Sequence, residues 1–160
     1  MKVFNGQRGF TLLELLVVIS VISLLASVVF ASLNTARAKG RDAKRRSELI
    51  QLRNAMELYY SNTGVWFLSD GWIEIGGYVD INLQPTYIPI VPMDPIGVGN
   101  HRYQHWNKSY VGGCFTGGQP EKYVFYTKLE NPSAADLATL TDSFDTCANT
   151  TYEMNFKIGN

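Results

Sequence analysis

Proline is missing from Phe10 through Thr63, and glycine occurs there once, at Gly40, so nothing in those 54 residues forces the backbone out of an α-helix. At 1.5 Å per residue such a helix would run roughly 80 Å, further than a 160-residue globule is wide. Tyrosine and tryptophan are absent before Tyr59. Cysteine is scarce, with only Cys114 and Cys147, too few ligands for a structural zinc site. Net charge is zero, which removes any global argument for a nucleic-acid partner. There is no Gly-x-Ser-x-Gly, no phosphate loop, no Cys-x-x-Cys and no acid–histidine arrangement with a recognisable catalytic form. His101 and His105 lie four apart in a stretch that reads as strand or loop, which is not a metal-binding pattern. The chain therefore reads as a non-enzyme without a cofactor.

The neutral total conceals two unlike halves. Met1 to Arg53 carries nine basic and three acidic residues, whereas Asn54 to Asn160 carries five basic and eleven acidic, so +6 stands against −6. Within the first half, Leu15 to Leu33 is interrupted by nothing more polar than Ser20, Ser23, Ser27 and Ser32. About 20 apolar residues cross the hydrocarbon of a bilayer, and a helix apolar all round has too little protein here to bury it. Beyond Leu33 the pattern turns amphipathic. Leu49, Leu52, Met56 and Tyr59 recur at spacings of three, four and three, a stripe that needs a surface to pack on. Ser61-Asn62-Thr63-Gly64 supplies the stop.

The second half is loop-rich, since residues 64–120 hold ten of the fourteen glycines and five of the six prolines. Tyr152, Met154, Phe156 and Ile158 alternate with polar residues and read as a strand with one buried face. Lys122 to Leu129 reads as a second strand and His101 to Trp106 as a weaker third. Ser133 and Asp136 form a capping-box-like start to a short helix over Ala134 to Leu140. The expected fold is α+β: a long N-terminal helix, transmembrane then amphipathic, packed against a small antiparallel sheet with a loop-rich region.

At the N-terminus a short basic leader (Lys2, Arg8) precedes Gly9-Phe10-Thr11-Leu12-Leu13-Glu14 and then the apolar span. A secretory signal places its processing point after the apolar stretch. Here the order is reversed, and Arg8 to Glu14 resembles the prepilin signal of type IV pilins and of type II secretion pseudopilins. The resemblance covers roughly the first 64 residues. It implies cleavage between Gly9 and Phe10 by a membrane prepilin peptidase, N-methylation of Phe10 by the same enzyme, and a docking role for Glu14 opposite the Phe10 α-ammonium of a neighbouring subunit. Both residues make physical sense. Gly9 lets an extended backbone enter a protease cleft. An ionised Glu14 deep in a bilayer would cost roughly 2.5–3.5 kcal/mol, so it needs a partner or a place at headgroup depth, where an acid also suits a helix N-terminus.

The expected organisation is a leader over 1–9, a transmembrane or filament-core helix over 10–33, an amphipathic helix over 34–63 and an extracytoplasmic domain over 64–160. The resemblance implies a filament subunit of a pilus or pseudopilus. Its partners would be copies of itself, the prepilin peptidase, an inner-membrane assembly platform with its ATPase, and membrane lipid before assembly, with DNA disfavoured. The implied location is the cytoplasmic membrane, as a single-pass precursor with the C-terminal domain outside. Six bases between Arg37 and Arg46 oppose that orientation under the positive-inside rule. This run reads as a solvated helix face at lipid headgroups, with pairing to acidic domains of neighbouring subunits, or to DNA phosphates, as alternatives.

Three further readings attach to the second half. Outside the cytoplasm, Cys114 and Cys147 are expected to be bridged rather than free. Pro92-Met93-Asp94-Pro95, after Tyr87-Ile88-Pro89, is similar to the Pro-x-Asp-Pro turn of major pseudopilins, although Ile96-Gly97 follows and the tyrosine arrives only at Tyr103. Some pseudopilins bind calcium in a C-terminal loop, for which Asp136, Asp142 and Asp145 are the candidate ligands, with capping and solvation as the other role. Two alternatives to the main function stand. One is a minor pilin-like tip protein using exposed Trp66, Trp72 or Trp106 to contact a surface, sugar or DNA. The other is an exported soluble domain cut after Ala38, within Ala36-Arg37-Ala38.

Overall fold

The long proline-free stretch forms one helix, α1, spanning Leu12–Thr63. The computed structural model describes residues 9–67, 71–74, 76–107, 123–140 and 152–159. Two units divide the chain, Met1–Arg37 and Ala38–Asn160.

In the first unit every large apolar side chain from Phe10 to Leu33 is exposed. Among the described residues α1 is the one helix long and apolar enough to cross a membrane. Three of the four serines from Leu15 to Leu33 leave this apolar surface uninterrupted. The hydroxyls of Ser20, Ser23 and Ser27 donate to the carbonyls of Val17, Ile19 and Leu24, each at 2.7 Å, so none needs an outside acceptor.

In the second unit the amphipathic stripe behaves as its spacing requires. Leu49, Leu52, Ala55 and Met56 are buried and Tyr59 is half-buried. They pack with Tyr103, Tyr123 and Phe125 in one cluster, joined by Ile73, Val79, Leu83, Ile88 and Val91 from the intervening segment. At the helix end Gly64 adopts φ +72°, a left-handed conformation that glycine takes without steric cost, and its N–H reaches the Tyr60 carbonyl at 2.8 Å.

After α1 come β1 (Gly71–Trp72), α2 (Tyr78–Leu83), β2 (Gln104–Asn107), β3 (Tyr123–Thr127), α3 (Ala134–Leu137) and β4 (Phe156–Gly159). The four strands form one antiparallel sheet in the order β1-β2-β3-β4, with Phe125 opposite both His105 and Ile158. All five residues of β3 are buried. Tyr123 and Phe125 join the helix-side cluster, while Val124 and Tyr126 join a second cluster with Trp106 and Met154. The sheet is thus covered on both faces, where the sequence pattern suggested one.

The C-terminal strand is shorter than its alternation suggests. Glu153 takes φ +56°, an uncommon conformation outside glycine, and regular pairing begins only at Phe156. Between them Asn155 substitutes side chain for backbone. Its Oδ1 accepts from the Leu129 N–H at 2.7 Å and its Nδ2 donates to the Leu129 carbonyl at 2.9 Å. Gly159 closes the strand at φ +150°, where an added Cβ would lie 2.3 Å from the Tyr123 carbonyl oxygen.

Helix α3 starts as Ser133 and Asp136 foretold, with a complete capping box. The Asp136 N–H donates to Ser133 Oγ at 3.2 Å, and the Ser133 N–H donates to Asp136 Oδ2 at 2.7 Å. It ends at Leu137 rather than Leu140. Ser133→Ala is expected to lower the denaturant midpoint of the folded unit by the equivalent of about 1 kcal/mol.

Candidate functional site

The N-terminal motif lies at the start of the apolar helix. Gly9 and Phe10 are exposed and precede the first helical residue, Leu12, so the bond between them is accessible, non-helical backbone. Among the described residues, no atom beyond its chain neighbours lies within 4 Å of where a Gly9 Cβ would stand, so their packing makes no demand for glycine. Thr11 and Glu14 form a capping box that the sequence reading missed, although Thr-x-x-Glu is its usual signature. Glu14 Oε2 accepts from the Thr11 N–H at 3.0 Å and from the Thr11 hydroxyl at 2.9 Å. The Glu14 N–H donates back to Thr11 Oγ1 at 3.2 Å. Glu14 therefore has a partner within its own subunit, and it lies at the positive end of the helix dipole.

The basic run differs most from expectation. Arg45 is fully buried, and Arg41 and Arg46 are half-buried. Arg45 forms a two-point bridge to Asp94, Nε to Oδ2 at 2.7 Å and Nη2 to Oδ1 at 3.1 Å. Its Nη1 donates to Asp42 Oδ1 and to Glu130 Oε1, both at 2.8 Å. Arg41 grips Glu130 at 2.7 and 2.6 Å, and Arg46 grips Asp136 at 3.0 and 2.7 Å. The headgroup, neighbouring-subunit and DNA readings thus fail for these three arginines. Their acids come from the same chain, because helix positions 41, 45 and 46 face the loops carrying Asp94 and Glu130 and the first turn of α3, which carries Asp136.

Asp94 and Asp42 each have a second task. Asp94 Oδ1 accepts from the Ile96 N–H at 2.8 Å and so fixes its own turn. Asp42 accepts from the Glu130 and Asn131 N–H groups at 2.9 and 2.8 Å. Burial alone would raise the Asp94 pKa and lower that of Arg45, but their mutual hydrogen bonds, with Glu130 and Asp42 also on Arg45, outweigh it in both. Asp94 is held below its usual range and Arg45 above. Hydrogen bonding from Arg41, more than from Arg45, pulls Glu130 down to about 2, and Arg46 does the same to Asp136. Two tyrosines extend the polar seam. The Tyr103 hydroxyl donates to Glu48, and that of Tyr123 donates to Glu57 at 2.7 Å. Burial first, then the neighbouring carboxylate, pushes both phenols upward.

The other candidates separate. Both Asp136 oxygens are engaged by Arg46, so the calcium reading loses that ligand to an ion pair and a helix cap; Asp142 and Asp145 lie outside the described residues. Cys114 and Cys147 also lie outside them. Trp66 and Trp106 are buried, which removes them as tip contacts, and Trp72 is half-buried beneath Arg102. His105 is buried between Phe67 and Phe125. Ala36-Arg37-Ala38 lies within unbroken helix, not in the extended form a signal peptidase would cut.

Comparison with known proteins bears on the same region. The family described as the prokaryotic N-terminal methylation motif matches residues 4–30. The chain is 32% identical over 103 residues to type II secretion system core protein G of Vibrio cholerae, covering 61% of this chain and 70% of that protein. It is 42% identical over 59 residues to the protein of the same description in Escherichia coli, covering 37% and 41%. To the type IV major pilin protein of Neisseria gonorrhoeae it is 39% identical over 62 residues, covering 38% and 36%. The chain thus spans most of the first relative and about two fifths of the others. No solved structure matches.

Proposed function

Because the chain belongs to the type IV pilin and type II secretion pseudopilin family, we infer that it is a structural subunit of a filament built from the membrane, of the pseudopilus kind. One observation carries this reading. Every large apolar side chain from Phe10 to Leu33 is exposed. At about 1.5–3 kcal/mol for each such side chain fully buried, that surface belongs in lipid or against copies of itself. A filament supplies the second environment and a bilayer the first. Preference for a pseudopilus over a pilus rests on the relatives named as core protein G, of which the Vibrio protein is matched over most of its length. The turn at Asp94 supports it, since Asp94 both shapes the turn and receives Arg45.

In this reading a prepilin peptidase cleaves the exposed Gly9–Phe10 bond, and residues from about 34 onward stand outside the cytoplasm. The pairing of three arginines with this chain's own carboxylates lowers the effective positive charge beyond the span, which eases the conflict with the positive-inside rule. Glu14 waits in its capping box until the α-ammonium of a neighbouring subunit's Phe10 offers a stronger, charged partner.

Mass spectrometry of the mature chain is the test. The expected N-terminus is N-methylated Phe10, and Gly9→Leu should leave precursor in the membrane with no filament. A mature chain starting at Lys39 would establish the exported-domain alternative instead.

A further inference from the structure

Counting partners leaves a small remainder of unpaired charge on each side. Among the described residues, Glu74 and Asp80 are the acids with neither a cation nor a hydroxyl bound; Asp80 accepts only from the Gly76 N–H of its own loop, at 2.7 Å. Among the described bases, Arg37 and Lys39 make no ion pair, hydrogen bond or ring contact. The two acids rim a groove of about 360 Å³ whose other walls are Gln84, Ile90, Val91 and Met93. Ile90 is 74% exposed and Ile81, next to Asp80, is 70% exposed, so apolar surface flanks the acidic rim.

Arg37 has surroundings of the matching kind. Phe30, Leu33 and Arg37 follow at spacings of three and four, which sets them on one helix face, apolar then basic, and all three are exposed. Lys39, two residues on, points roughly 200° away around the helix. We propose that the groove between Glu74, Asp80 and Ile90 receives the Phe30-Leu33-Arg37 face of a second copy of this chain. The Arg37 guanidinium binds the carboxylates while its methylene stem and Leu33 cover the apolar wall. An isolated acidic rim or an isolated apolar groove would be ambiguous. Here one face of α1 carries both complements. The contact rests on the filament reading and specifies which surfaces meet in it.

A charge exchange in the full-length chain, expressed with its own assembly machinery, is the experiment. Arg37→Glu and Glu74→Arg should each lower the yield of sheared filament about ten-fold, because each places like charges together. The two combined should restore yield to within about two-fold of wild type, as expected of a directly coupled pair. Lys39→Glu makes the same charge change on another face and should stay within about two-fold. Membrane levels and thermal melting of each variant are compared with wild type, so that loss of folding is not counted as loss of assembly. The contact is overturned if either single change leaves yield intact, if the exchange fails to restore it, or if Lys39→Glu falls as far as Arg37→Glu, which would point to lipid headgroups. A wild-type chain that forms no filament removes the filament reading itself; a filament indifferent to the exchange removes the contact alone.

Discussion

Arg45→Ala is expected to lower the unfolding free energy of the second unit by about 3–5 kcal/mol, a large share of what a domain of this size possesses. The expected cost arises less from attraction lost than from charge stranded. Arg45 and Asp94 are both buried, and truncating the guanidinium leaves Asp94 without its cation and Asp42 and Glu130 with one donor fewer. Removing both members, as Arg45→Met with Asp94→Leu, should cost clearly less than the two single changes added together, since neither charge is then left alone. Urea unfolding of the detergent-solubilised chain, followed by tryptophan fluorescence, reads this directly, because buried Trp66 and Trp106 belong to the clusters that would open. If Arg45→Ala unfolds within about 1 kcal/mol of wild type, the network is peripheral despite its burial.

Acid should dismantle the same network. Glu130 and Asp136 titrate near 2 in the folded chain, against ordinary values of 4.5 and 3.8, and Asp94 is also lowered. With folded values below unfolded ones, the stability they contribute is complete above about pH 5 and is lost as pH falls toward 2. A carboxylate shifted this far contributes at most about 2.5–3.5 kcal/mol, and solvent around Glu130 reduces its share. The melting temperature should therefore be flat from pH 7 to 5 and fall steeply below about 4.5. Glu130→Gln, which does not titrate, should lower the plateau and shallow the descent. An unchanged slope in that variant would locate the acid sensitivity elsewhere.

Legibility in the sequence followed periodicity. The stripe Leu49-Leu52-Met56 was readable because one apolar face against one surface repeats every three or four residues, and all three are buried. The Ser133–Asp136 cap was readable because its chemistry is local. Arg45 was not, since a lone buried arginine has no period and its partners stand 49 and 85 residues away. Two signs were available: Asp42 at i−3, and an aspartate enclosed by prolines that had to point its carboxylate somewhere. Thr11-x-x-Glu14 is a capping signal as local as Ser133–Asp136, but it coincides with the processing motif, in which Glu14 reads as an assembly residue. The early end of the terminal strand was hidden too, for alternation does not record that Glu153 turns left-handed or that Asn155 lends an amide to Leu129.

The serines of α1 carry a consequence for traffic between lipid and filament. A segment that changes surroundings repeatedly would stall if its polar groups had to find new acceptors at each transfer. Ser20, Ser23 and Ser27 already spend their protons on carbonyls of their own helix. Moving this stretch from acyl chains to neighbouring helices then exchanges one apolar contact for another with no hydrogen bond broken on the way. Extraction and return become nearly symmetrical for residues 15–31, so the direction of travel must be set by the machine that pulls and by the charged contacts at either end.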